Sequence, residues 1–272
     1  MPAKGFLTKQ QLKKLQAALR ESETAQLRES GEQVRRILQK KKYVYLWAKY
    51  SLEDKQDQGK REAFKEKLQG YLEASKAVPQ KLQVWFWDES GFSLRVIRRK
   101  GWGKKGKRRK VRGQRRRGRV NVMGGLRYHD RKRVCYFIEK GNSESFYVQL
   151  EQLNEWVRQE WVEQGNRREY FEQEGPKILI ILDNASYHKK QTILAEIEKK
   201  LPNIQLYFLP AYSPDFNLIE LVWHSAKEYI AHWLFQSVEE LRELLDRLLN
   251  QEELIIKWQR KLKNKGNAVI AS

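Results

Sequence analysis

The sequence is poor in cysteine, in long apolar runs and, over one stretch, in acid. A single cysteine, Cys135, in 272 residues rules out an intramolecular disulfide framework and a Cys-rich zinc site. The longest clean apolar run, Ile178–Leu182, is far too short to span a bilayer. The opening residues, MPAKGFLTKQQ, hold no apolar signal-peptide core, so a cytoplasmic, nucleoid-associated protein is expected. No internal repeat is visible. Between Arg95 and Arg119 there is no Asp or Glu, against fifteen Lys or Arg.

What is present is positive charge. Lys and Arg number 55 against 34 Asp and Glu, a net +21. Such a balance points to a polyanion, above all nucleic acid. Most of the excess sits in RVIRRKGWGKKGKRRKVRGQRRRGR, residues 95–119. Its glycines and its lack of apolar periodicity predict a loop or loose hairpin. The charge density exceeds what solubility needs, which favours contact with a phosphate backbone over a merely solvated loop. The candidate contacts are Arg98, Arg99, Lys100, Lys104, Lys105, Lys107, Arg108, Arg109 and Lys110. Trp102, between two glycines, is placed to stack on a base or to anchor the hairpin.

Hydrophobic residues make up 40% of the chain, with nine Trp, enough for a sizeable core. Residues 1–80 read as helical and polar. Thr8 with Gln11 forms a capping box before Leu12, Leu15 and Leu19. Ser30 with Gln33 forms a second, before Val34, Ile37 and Leu38. After Pro79 the texture changes. Strands are expected at Leu82–Glu89, Val120–Tyr128 and Val134–Glu139, the last two flanking a His129-Asp130-Arg131 turn. A helix follows over Ser143–Glu163, then an apolar strand over Lys177–Asn184 and a helix over Lys189–Lys200. A strand over Ile204–Leu209 and a helix over Leu218–Trp233 come next. Ser237 and Glu240 cap one more helix, running to about Asn250. Residues 81–251 thus form one domain, with 252–272 a basic tail. The order β-β-β-α-β-α-β-α predicts an α/β fold: an antiparallel meander joined to parallel strands in one mixed sheet, flanked by helices. That is the ribonuclease-H-like arrangement.

Strand alternation sorts the carboxylates. Asp88 shares a face with Val84 and Phe86, while Glu89 points the other way. Asp183 shares a face with Leu179 and Ile181, opposite Asn184. An ionised carboxylate at the edge of a buried strand is costly unless paired or metal-bound, although either Asp alone could simply cap a loop. Glu220 has its own plain role. Asn217 as N-cap would make it the third helical residue, the capping-box position. Helix phase puts it on a polar stripe with His224 and Lys227, beside the apolar stripe of Ile219, Val222, Trp223, Ala226 and Ile230. From there it can reach an adjacent strand end. Asp215, in a Ser-Pro-Asp turn, reads as structural. Three carboxylates from two strand ends and a helix start suit Mg²⁺, a hard cation that takes oxygen ligands. Two such ions promote in-line phosphoryl displacement.

Three blocks carry a family resemblance: WDESGFS (Trp87–Ser93), ILDNASYH (Ile181–His188) and LPAYSPDFNLIELVW (Leu209–Trp223). They resemble the catalytic blocks of mariner-type DDE transposases, most closely the bacterial insertion-sequence-630 branch. Thirty-six residues separate Asp183 from Glu220, the short spacing of that family. The stretch RRKGWGKKGKRR resembles its basic hairpin. The resemblance covers about Leu82 to Asn250. It implies that Asp88, Asp183 and Glu220 ligate Mg²⁺ or Mn²⁺, as two ions. It implies cleavage of double-stranded DNA at an element's ends by activated water. Attack of the 3′-hydroxyl on target DNA follows, commonly at a TA step, and a homodimer acts on the DNA. Asn184 and His188 match the second block and could orient a ligand or touch DNA; His188 is equally readable as a local hydrogen-bonding residue. His129, His224 and His232 carry no signal.

Two departures stand out. Leu218 replaces the proline usual before Ile-Glu, a mild loss at a first helical turn. Upstream, family members carry two helix-turn-helix units. Glu29–Tyr43 resembles only the last recognition helix, and the 28 residues before it are too few for the rest. An internally shortened copy is therefore expected, and a derivative that binds DNA without catalysis is the alternative to an active enzyme. An RNA-associated protein would explain the charge but not the three blocks.

Overall fold

The computed structural model describes residues 55–97 and 116–256, with single positions 36, 38–40, 110, 113 and 258. The chain divides into two compact units, Met1–Ser51 and Leu52–Ser272. The Thr8 and Ser30 capping boxes lie outside the described residues, as does Glu29–Tyr43 apart from four helical positions, Arg36 and Leu38–Lys40.

Helix α1, Gln58–Ala77, starts where the Asp57 side chain accepts from the Lys60 backbone N–H at 3.0 Å. Phe64, Leu68 and Leu72 recur at four-residue spacing and are buried. Pro79 disfavours helical geometry in the residue before it, and the helix is over by Val78. Although α1 precedes residue 80, its Phe64, Leu68 and Leu72 join the core of the sheet within the Leu52–Ser272 unit.

The sheet has five strands: β1 (Leu82–Ser93), β2 (Arg119–Arg127), β3 (Arg133–Ile138), β4 (Lys177–Leu182) and β5 (Ile204–Phe208). Their order is β3-β2-β1-β4-β5. The first three pair antiparallel; β4 runs parallel to β1 and β5 parallel to β4, as the element order predicts. The remaining helices are α2 (Ser143–Glu163), α3 (Phe171–Glu174), α4 (Gln191–Lys200), α5 (Glu220–Tyr229) and α6 (Val238–Leu249). Strand β4 is apolar throughout because both of its faces are covered. Leu179 and Ile181 join Val84 and Phe86 under α1, α5 and α6. Ile178, Ile180 and Leu182 join Trp85 and Trp87 under α2 and α4. Gly125 on β2 makes room for the two indoles; a Cβ there would come within 3.0 Å of both rings.

Several boundaries differ from the sequence expectation, each for a tertiary reason. Strand β1 does not end at Glu89 but runs to Ser93, because β2 keeps pairing with it out to Ser93↔Arg119. Strand β4 stops at Leu182, so Asp183 and Asn184 lie just beyond it. A 3₁₀ turn, Ser186–Lys189, delays α4 to Gln191. Helix α5 is shorter at both ends than Leu218–Trp233. Its far end gives way before His232, which has a positive φ of 71°. The expected tail beyond 252 begins packed: Leu254 is buried, and Ile256 and Trp258 lie against the core. Among the described residues, no helix is long and apolar enough to cross a membrane.

Candidate active site

The parallel ladder between β1 and β4 ends at Phe86↔Ile181. Asp88 follows on β1, two residues past that pair and opposite Gly124 of β2. Asp183 follows β4 in the same direction. Glu220 opens α5, whose Leu221, Val222 and Trp223 pack in the layer that also holds Val84, Phe86 and Ile181. The structure therefore brings the three predicted carboxylates to one end of the sheet.

Electrostatics show how closely they gather. Asp88 is half-buried. Its pKa is raised well above the usual carboxylate value, first by burial, then by the negative charge of Glu220, with Glu89 and Asp183 adding to it. Only the Glu89 backbone N–H draws the other way. Among the described residues, no Lys or Arg forms an ion pair with Asp88.

Asp183 differs: its side chain is 53% exposed and its pKa lies below the usual value, chiefly through His188, with burial opposing. Asp183 Oδ1 accepts from the Ala185 backbone N–H at 2.9 Å and stands 3.1 Å from His188 Nδ1, at ion-pair distance but without hydrogen-bond alignment. His188 is 1% exposed, and its Nε2 lies 3.2 Å from Glu89 Oε1. Burial opposes its charge, but the two carboxylates outweigh burial and push its pKa up to about 9.

Three polar side chains, none given this task by strand or helix pattern, stitch the blocks together. Asn184 donates from Nδ2 to the Leu209 carbonyl, tying the second block to the third. Asn217 donates from Nδ2 to the Trp87 carbonyl at 3.0 Å, tying the third to the first. His188 ties the second to the first through Glu89. Asn217 is therefore not the N-cap of α5. That position falls to Ile219, which makes no side-chain cap, and Glu220 is the first helical residue instead of the third. The capping-box role for Glu220 falls with it. Leu218, in the family's proline position, is fully buried in the core.

Asp215 is structural, as its turn suggests, but its partner comes from α1. Arg61 donates to both carboxylate oxygens, at 3.1 and 2.7 Å, and to Ser213 Oγ at 2.6 Å, with its guanidinium over Phe216. Sequence reading gave Arg61 no role, since the contact spans 154 positions.

Of the basic stretch, Arg98, Arg99, Lys100, Trp102, Lys104, Lys105, Lys107, Arg108 and Arg109 lie outside the described residues; Lys110 is described and exposed. His129 contacts Asp130 at 3.8 Å, far from the carboxylate site in the β1–β2 register.

The donor set suits a hard divalent cation: carboxylate oxygens alone, one of them half-buried among other acids with no Lys or Arg ion pair among the described residues. Among the described residues, no three His, Cys, Asp or Glu side chains already enclose an ion position. Asp183, past its strand and half exposed, is the member with room to turn inward.

The family model of the DDE superfamily endonucleases matches residues 83–242. Comparison with curated proteins returns no match. Among solved structures, the mariner Mos1 paired-end complex with Mg aligns with a TM-score of 0.59 at 18% identity, over 93% of this chain and 75% of that one. The Mos1 complex with the left transposon end gives 0.58 at 18%, over 92% and 74%. The Mos1 strand transfer complex gives 0.58 at 18%, over 92% and 73%. The shared fold is the ribonuclease-H-like mixed sheet with flanking helices.

Proposed function

The chain belongs to the DDE superfamily endonucleases, and from that premise we propose that it is the transposase of an insertion sequence of the insertion-sequence-630 branch. It cuts double-stranded DNA at the element's ends and joins those ends to target DNA. The observation that carries this reading is Asp88: a half-buried carboxylate close to Glu220, Glu89 and Asp183, with no Lys or Arg ion pair among the described residues. A carboxylate so placed is costly to ionise, and a divalent cation would offset that cost.

Asp88, Asp183 and Glu220 would hold Mg²⁺ or Mn²⁺, as two ions, which when bound supply an activated attacking oxygen and neutralise the leaving one. The protein's own work is positioning. Asp88 is fixed by strand pairing on β1, and Glu220 is presented from the first turn of α5. Asp183 is the adjustable member. The basic stretch from Arg98 to Lys110 would track the phosphate backbone. Mos1 was solved with paired transposon ends; carried to this chain, that makes DNA ends the partner and two protomers the working unit.

Nicking of plasmid DNA in Mg²⁺ tests the proposal. The wild-type protein is expected to nick, and Asp183→Ala to nick at least about a hundredfold more slowly. Equal nicking by both removes the site assignment. Absence of nicking by both, with DNA still bound, favours a derivative that binds without catalysis.

A further inference from the structure

We propose that Glu89 and His188 form a buttress that presents one oxygen of Asp183 to the metal, making both of them positioning residues for the reaction. The inference rests on the reading of Asp183 as a metal ligand. It assigns a task to the acid that alternation points away from Asp88.

The geometry is specific. Both contacts on Asp183 fall on Oδ1: the Ala185 N–H at 2.9 Å and His188 Nδ1 at 3.1 Å. Among the described residues no hydrogen bond falls on Oδ2, which leaves that oxygen to face the ion. Asp183 stands past the end of β4 and is half exposed, so nothing in the sheet itself would hold its rotamer. His188 is fixed. It is buried at 1% exposure, with its ring 4.4 Å from Phe146 of α2 and 4.3 Å from Tyr187, centroid to centroid. Its Nε2 is anchored 3.2 Å from Glu89 Oε1. Glu89 in turn is locked by strand pairing with Met123. The rigidity of β1 thus reaches a mobile carboxylate through one imidazole. Outer-shell partners of this kind orient ligands and tune their donor strength.

A role confined to packing would change stability and leave metal binding alone. Three variants separate the two, with Mn²⁺ affinity read by the paramagnetic signal of free Mn²⁺ and folding by circular dichroism without metal. In Glu89→Gln the ring's interaction falls wholly on Asp183, and Mn²⁺ affinity is expected to drop about tenfold in a folded protein. His188→Asn keeps a donor near the Nδ1 position but cuts the link to Glu89. In that background, adding Glu89→Gln is expected to cost far less than tenfold, a non-additive cycle. Unchanged affinity in folded Glu89→Gln, or additive effects in the double variant, would overturn the buttress. Should His188→Asn not fold, Glu89→Gln alone decides. Asp183→Ala is the control for the underlying reading: if it binds Mn²⁺ as the wild type does, Asp183 is no ligand, whatever the other variants do.

Discussion

Two charged clusters sit on the same β1–β2 ladder, and they are built on opposite principles. Arg127 pairs in register with Trp85; Asp88 pairs with Gly124, three residues further along. Arg127 is 2% exposed, yet every charge around it is answered. It forms ion pairs with Asp130 and Glu160, donates to Gln83 Oε1 at 3.3 Å, and lies against the rings of Trp85 and Trp156. Lys132 completes the balance with a 2.7 Å contact to Glu160. Asp88 sits among three other acids and has no Lys or Arg ion pair among the described residues, while His188 answers Glu89 and Asp183. The first cluster is completed by its own residues, whereas the second leaves Asp88 without such a pair among the described residues. Burial alone therefore does not mark a functional site; uncompensated burial does.

The largest effect that can break this contrast is expected in the finished cluster. Arg127→Met should leave Asp130 and Glu160 half-buried without their shared cation and cost about 3–5 kcal/mol, read from urea unfolding. A loss below about 1 kcal/mol would mean that the cluster is decorative and the contrast false. The same kind of change at the other end should behave differently. Asp88→Asn removes a charge that has no partner, so the metal-free protein is expected to unfold at the same urea concentration as wild type or a higher one. Wild type should gain about 2.7 kcal/mol at a hundredfold excess of Mn²⁺ over its Kd, and Asp88→Asn should gain almost none. Equal gains in both proteins would show that Asp88 does not hold the ion.

The clusters were unequally legible in sequence. Alternation along Leu82–Glu89 and Lys177–Asn184 placed Asp88 and Asp183 on the face shared by β1 and β4, and the structure brings both to one end of the sheet. The placement works because side chains alternate strictly along a strand, so a residue two or four positions from a known one takes the same face. Helix phase placed Glu220 near the core but misplaced its start. The reason is tertiary: the Asn217 amide is taken by the Trp87 carbonyl, 130 positions away, and Leu218 is drawn into the core. The stitches at Asn184, Asn217 and His188, and the Arg61 clamp on Asp215, share that origin. Each joins segments far apart in the chain, and no local pattern signals it. The Arg127 cluster was equally hidden: only its His129-Asp130-Arg131 turn was visible, and Glu160 comes from α2.

The smallest effect concerns pH and sharpens what holds Arg127. Burial pushes the Asp130 carboxyl up, but Arg127 outweighs it and holds the pKa below the usual 3.8. Burial likewise acts against Glu160, and Arg127 with Lys132 holds it below 4.5. A carboxylate depressed on folding contributes stability that is fully present above its unfolded pKa and lost as pH falls through its folded one. Wild type should therefore surrender this increment only in acid, below about pH 4. Arg127→Met keeps only the share that Lys132 gives Glu160, and protonation relieves Asp130, which has lost its guanidinium. The stability gap between the two proteins should narrow steadily from about pH 6 to about pH 3, measured as the difference in urea midpoints. A gap that stays constant would place the stabilisation in the contact of the guanidinium with the Trp85 and Trp156 rings, which does not titrate, and the finished cluster would then be held by its rings more than by its charges.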